Sequence, residues 1–389
     1  MIMVLPAGYN PDRNLTHVVP SLAASLGAAL PNTLDLPKAR SAILLLVDGL
    51  GLEQLQQYSA HAPFLRGVLQ RQTAAQTELS TVYPSTTAAA LSSLGTGLSP
   101  GEHGLVGYDV YDPERDTVIN QLGGWDERTD PEAWQPADTL FEQLNEQRLM
   151  GVHDIEPVTV SLPAFEESAL TRAALKGPRF IGHEELTARF QAAAHEAQQP
   201  GALIYLYVNE LDKIGHQFGP GSDRWLETLE ELDAQARRMV RKLPQDTLAA
   251  VTGDHGMIEV TEEDRIDFAF DEELIAHIAH TAGEPRMVQL HFATEATERD
   301  RQQTFAAWQQ RFGEQAWVVT RDQAIDAGWF GSVNGRVRER IGELIVTSSA
   351  PIALYDSRRA APQSFAMVGH HGALTPAETR VPWLIIHAP

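Results

Sequence analysis

The 389-residue chain contains no cysteine, which excludes disulfides and thiolate sites and leaves the redox compartment open. It has only four lysines, and its formal charge is −22. A nucleic-acid-binding surface or a face for anionic membranes needs clustered Lys and Arg, so neither is expected. No apolar run approaches the ~20 residues that cross a membrane. Met1–Tyr9 lacks a basic segment and contains Pro6, so no secretory leader is expected and a cytoplasmic location is the default. The small-residue run 21–30, bracketed by Pro20 and Pro31, reads as a short helix rather than a leader core.

What is present is a set of buried-strand signatures that each end in acid. Ser41–Val47 is a continuous apolar run, as in a parallel strand covered on both faces, and it stops at Asp48-Gly49. Ala202–Val208 is a second such run. It leads into Asn209-Glu210-Leu211-Asp212-Lys213-Ile214-Gly215-His216, where Asp212 and His216 are one helical turn apart and so share a face. Thr247–Thr252 is a third, followed by Gly253-Asp254-His255-Gly256, whose glycines let neighbouring side chains converge on one ion. Open α/β sheets bind ligands at the carboxyl ends of their strands, which is where these acids fall. Far downstream stands a glycine-flanked histidine pair, His370-His371. Three carboxylates and three imidazoles suffice for two zinc-type ions.

A hydroxyl-rich stretch completes the set. Tyr83-Pro84-Ser85-Thr86-Thr87 precedes an Ala/Leu/Ser run and reads as a helix start, with the helix expected to end at Gly95. Thr87 would then lie in the first turn, where free N–H groups and the helix dipole favour an anion. His103 lies between glycines in a surface turn and reads as structural. Residues 109–118 read as a hairpin around Asp112-Pro113, and 149–152 and 158–160 as further strands. Residues 264–363 alternate strand and helix and carry no obvious catalytic residues. The expected fold class is therefore α/β: a three-layer αβα core with a mostly parallel sheet, formed by 1–263 and 364–389, plus a smaller inserted α+β subdomain, 264–363.

In this order, Val-Asp-Gly at Asp48, Pro-Ser-Thr-Thr at Thr87, Asp-Lys-Ile-Gly-His at Asp212, Asp-His-Gly-Met at Asp254 and His-Gly at His371 resemble the alkaline phosphatase superfamily. Within it they look most like the nucleotide pyrophosphatase/phosphodiesterase branch. The resemblance implies two divalent ions, zinc or manganese. Asp48, Thr87, Asp254 and His255 would hold one, and Asp212, His216 and His371 the other, the His-Gly pattern selecting His371 over His370. Thr87 would be the nucleophile of a hydrolase acting on a small-molecule phosphoester through a phosphothreonine. The chain departs from the branch where an aromatic residue follows the nucleophile, here Ala88, and where an asparagine stands 21 positions beyond it, here Tyr108. Those two positions are the expected substrate contacts, and no particular nucleotide is assigned.

No Lys or Arg occurs between Arg71 and Arg115, which favours a diester or pyrophosphate bond over the more highly charged monoester unless an arginine such as Arg286 reaches the site. A phosphomonoesterase or phosphonate hydrolase on the same metal site is the alternative. A metal-stabilised binding protein with decayed catalysis is the alternative from another class.

Overall fold

A computed structural model describes residue 10 and residues 12–389; the leader expectation for Met1–Tyr9 lies outside the described residues. The central sheet orders seven strands as Glu78–Ser80, Arg380–His387, Thr247–Thr252, Ser41–Val47, Ala202–Val208, Glu156–Ser161 and Arg179–Gly182. Thr247–Thr252, Ser41–Val47, Ala202–Val208, Glu156–Ser161 and Arg179–Gly182 pair in parallel, and Arg380–His387 runs antiparallel between the first of these and Glu78–Ser80.

The period of two along each strand sorts side chains onto two faces. Ala42, Leu44, Leu46, Leu203, Tyr205, Tyr207, Leu248 and Ala250 face a core shared with the helices Val18–Ser25, Thr87–Thr96 and Leu140–Leu149. Ile43, Leu45, Val47, Ile204, Leu206, Val208, Ala249 and Val251 face the opposite core, closed by Pro63–Arg71, Leu186–Glu196 and Asp223–Val240. Because both faces are covered, these strands are apolar throughout, and three αβα layers result.

Residues beyond 264 form most of a second, antiparallel sheet in the order Ala316–Thr320, Leu344–Ser348, Met287–Phe292, Ile278–Glu284, Asp109–Asp112 and Thr117–Asn120. Its last two strands are the 109–120 hairpin, which comes from outside 264–363. One face of this sheet has its own core around Leu290, Trp308 and Val346. The other, through Met287, Val319 and Ile345, joins the main core together with Trp329 and Phe330. Trp329 and Phe330 pack beside the helix that begins at Thr87 through Tyr83, whose ring they meet edge-on at 5.1 and 5.2 Å.

Three local expectations are corrected. The helix at Thr87 runs past Gly95 to Thr96. A Cβ at Gly95 would lie 2.0 Å from the Ala174 carbonyl, so this glycine serves close packing, and Gly97, at φ +72°, is the stop. Leu149 ends the helix Leu140–Leu149, residues 150–152 form an exposed turn with Gly151 at φ +73°, and the strand begins only at Glu156. The first helix spans Val18–Ser25 and holds Pro20 in its opening turn, where a missing N–H costs no helical bond.

Candidate metal centre

Three neighbouring strands deliver the site. Asp48 follows Ser41–Val47, and its N–H bonds to the Val208 carbonyl at 2.9 Å, continuing the ladder to the last residue of the adjacent strand. Gly49, at φ +75°, then turns the chain, and its N–H donates to Asp254 Oδ1 at 3.1 Å. The helix Glu210–Phe218 starts two residues after Ala202–Val208 and carries Asp212 and His216 on one face. His371 arrives from a distant loop that crosses the mouth of the Thr87 helix.

These residues form two groups. Ligand atoms of Asp48, Asp254 and His255 lie within 4.8 Å of one another, as do those of Asp212, His216 and His371. The groups adjoin, since the His255 and His371 rings stack at 3.7 Å. Thr87, the first helical residue after the N-cap Thr86, brings its Oγ1 to 3.2 Å from His255 Nε2.

The imidazoles share one arrangement. His255 Nδ1 donates to the Gly256 carbonyl at 3.0 Å, His216 Nδ1 to Gly369 at 2.8 Å, and His371 Nδ1 to Ser85 at 2.9 Å. A carbonyl only accepts, so Nδ1 is the donor and Nε2 is the nitrogen turned into the site, the orientation of metal-ligating histidines. Carboxylate oxygens wait opposite. Asp48 Oδ1 and Asp254 Oδ2 each lie 3.5 Å from His255 Nε2, and Asp212 Oδ1 lies 3.3 Å from His216 Nε2. All three are buried without a hydrogen-bond partner among the described residues.

Three acids this close to one another, each with a buried oxygen, repel unless a cation lies between them. The electrostatics agree: burial, then the neighbouring Asp254 and Asp212, raises the Asp48 carboxyl well above the usual range. Asp254 is raised chiefly by burial, and His371 is lowered by burial and then by His255 and His216. The donor set thus fits two divalent cations.

His370 and His103 have both ring nitrogens engaged. His370 bonds through Nδ1 to Val368 at 3.1 Å and through Nε2 to the Tyr355 hydroxyl at 2.6 Å, so it has no lone pair to offer. His103 accepts from Leu105 N–H at 3.1 Å and meets Ser93 Oγ at 3.0 Å, a structural arrangement.

The two expected substrate contacts separate. Tyr108 is 39% exposed and lines a cavity of about 370 Å³ with Thr87, Asp212, His216 and His371. Ala88 is fully buried in the core and lines neither this cavity nor the one beside it, so it offers no surface to substrate. The neighbouring cavity, about 310 Å³, is walled by Leu91, Phe165, Leu170, Phe180 and Tyr205 and shares Thr87, Leu122 and Asp212 with the first.

Three residues of the site escaped sequence reasoning. The Tyr207 hydroxyl donates to Asp48 Oδ2, and the only hint was two tyrosines alternating on an otherwise aliphatic strand. Lys213, on the helix that carries Asp212, lines the apolar cavity that Thr87 also lines. Arg286 does not: it is fully buried, donating to both carboxylate oxygens of Glu378 at 3.1 and 2.7 Å. Glu284 enters the cavity beside Tyr108 through the second sheet, a placement no local pattern signals.

A mostly parallel sheet with acids and imidazoles gathered at its strand ends is the architecture of the alkaline phosphatase superfamily. Within it, the chain belongs to the type I phosphodiesterase/nucleotide pyrophosphatase family, whose sequence model matches residues 42–374, and this makes it a phosphoester hydrolase. Solved structures share the fold. Human ectonucleotide pyrophosphatase/phosphodiesterase 5 is 17% identical with a TM-score of 0.67, over 90% of this chain and 88% of its own. The murine counterpart, an inactive variant in complex with AMP, is 14% identical at a TM-score of 0.67, with the same coverage of 90% and 88%. Phosphonoacetate hydrolase from Sinorhizobium meliloti, in complex with phosphonoformate, is 18% identical at 0.65, over 91% and 92%.

Proposed function

We propose that the chain is a two-metal phosphodiesterase in which Thr87 is the nucleophile. The observation that carries this is the gathering of three imidazoles and three carboxylates, each acid with an unpartnered buried oxygen, into two adjoining groups, with the Thr87 hydroxyl 3.2 Å from His255 Nε2. Asp48, Asp254, His255 and Thr87 would hold one zinc or manganese ion, and Asp212, His216 and His371 the other. When bound, the ions supply Lewis-acid stabilisation of charge on the nucleophile, the phosphoryl oxygens and the leaving oxygen.

The chain's own groups do the rest. Thr87 Oγ1 forms a bond to phosphorus as the bond to the leaving oxygen breaks, and the hydroxyl proton ends on the departing alcohol. Water then cleaves the phosphothreonine and returns a proton to Oγ1. The N–H group of Thr87 precedes the first intrahelical bond, from Ala90 N–H to the Thr86 carbonyl, and so points a free dipole toward equatorial charge. His255, His216 and His371 are oriented by their carbonyl partners, and the Tyr207 hydroxyl fixes the rotamer of Asp48.

Diester chemistry is supported by two cavities meeting at Thr87, one for each ester arm. Lys213 favours a second reading, in which a monoester or phosphonate presents an additional anionic oxygen to that ammonium. The kcat/KM of an aryl phosphodiester relative to the matching monoester decides between them. A diester preference supports the proposal, and a monoester preference of about tenfold or more overturns it.

A further inference from the structure

The helix Asp223–Val240 is buried along one side, where Trp225, Leu229, Leu232, Ala236 and Met239 face the core. Its opposite side carries charge in a segregated order. Glu227, Glu230 and Glu231 come first, then the half-buried Ala234, then Arg237 and Arg238, with Arg241 at the helix end. At about 100° per residue all six charges fall within roughly 60° of Ala234 around the axis, and all six are exposed. They stand symmetrically about it, three, four and seven residues before and three, four and seven after.

A solvated helix face ordinarily pairs acid with base three or four residues apart. Here the closest acid and arginine of the stripe are Glu231 and Arg237, about 9 Å apart along the axis at 1.5 Å per residue. Asp233, one turn before Arg237, is buried and accepts from the Phe64 and Leu65 N–H groups at 3.1 and 2.8 Å. Among the described residues Arg237, Arg238 and Arg241 lie within ion-pair distance of no acid, and Glu230 meets only the His61 imidazole, at 2.7 Å. In a chain with 52 acids and 30 Lys and Arg, three arginines gathered without an acidic partner are not explained by pairing within the chain. Nor does the helix dipole explain the acids, since it acts within the terminal turns and all three lie beyond the first.

We infer that this stripe is the contact of a twofold dimer, its occupant the same helix of a second copy. An antiparallel helix laid across Ala234 sets Glu227 against the partner's Arg241, and Glu230 and Glu231 against the partner's Arg237 and Arg238, and the twofold repeats each contact. Acid meets arginine throughout. Ala234, the small residue at the centre, lets the two backbones approach, and a hollow of about 480 Å³ between the helix and residues 60–63 gives the long side chains room. With exposed ion pairs as its main contacts, the association is reversible and weakened by salt.

Sedimentation velocity of the full chain over a range of protein concentrations tests this. At about 50 mM salt the wild type is expected to form a concentration-dependent dimer, and at about 0.5 M to be monomeric. Two variants each reverse one half of the stripe: Arg237→Glu, Arg238→Glu and Arg241→Glu together, and Glu227→Arg, Glu230→Arg and Glu231→Arg together. Each alone is expected to be monomeric, because its stripe carries one sign, and the two mixed are expected to form a heterodimer. Circular dichroism melts report whether each folds. Should a one-sided variant fail to fold, the exchange of all six charges, which restores the pattern in reverse, is expected to dimerise as the wild type does. A wild type that stays monomeric at low salt overturns the inference, including one whose arginines bind a polyglutamate peptide instead. So does a dimer that persists in either one-sided variant, and so does a mixture of the two that stays monomeric.

Discussion

The imidazoles of His255 and His371 stack at 3.7 Å with 18° between their planes, although one belongs to each of the two ligand groups. The rings are therefore a shared wall, and under the two-metal proposal the position of one ion would constrain the ligands of the other.

His371→Ala is expected to lower metal content from two equivalents to about one and to abolish turnover. His370→Gln is expected to keep both ions, because both ring nitrogens of His370 are already engaged. Metal analysis of the purified variants checks this, and loss of an ion in the His370 variant alone would exchange their roles.

Stripping the ions with a chelator is expected to lower Tm, and to do so more at pH 7 than at pH 4.5, near the ordinary carboxyl range. The metal-free Asp48 and Asp254 carboxyls are raised by burial, so folding without ions carries no penalty below the ordinary carboxyl range and a growing one as pH rises toward the raised value. Bound cations remove that penalty and bind more tightly as the ligands deprotonate. Thermal melts with and without chelator at the two pH values give the comparison.

Buried neutral histidines set a second pH dependence, with the opposite sign. Burial lowers His103 to about 3, so between pH 6.5 and that value the unfolded chain binds a proton that the folded one does not, and stability falls as pH falls. From pH 7 to 5.5 this group alone costs about 1 kcal/mol. His103→Gln is expected to remove that part of the slope in urea titrations.

The buried Arg286–Glu378 pair holds the turn after His371, since Glu378 Oε1 also accepts from Ala373 N–H at 3.0 Å. Removing one partner leaves an uncompensated charge, so Glu378→Gln is expected to cost about 3–5 kcal/mol of stability and to loosen the His371 site. Urea unfolding and metal affinity report the two effects separately.

Much of this was legible because the same physics writes both sequence and fold. Ala202–Val208 and Thr247–Thr252 match their apolar runs to the residue, since strands buried on both faces have no polar position. The acids at their ends, and the helical spacing of Asp212 and His216, put the site at one edge of the sheet before any contact was known. What stayed hidden depends on distant chain. Glu284 reaches the cavity only through pairing of Gly283 with Asp109, and the 109–120 hairpin joins a sheet built mostly from residues more than 150 positions later. Gly95 reads as a helix stop from its neighbours and acts as a packing glycine only against Ala174. The burial of Ala88 follows from the direction in which its helix enters the core, which adjacency to Thr87 does not encode.

The most direct test is Thr87→Ala, assayed on an aryl phosphodiester with metal content measured on the same preparation. The account predicts that the variant keeps two divalent ions per chain, because six other ligands remain, and loses kcat/KM by about a thousandfold or more. Turnover equal to wild type with both ions in place would contradict it.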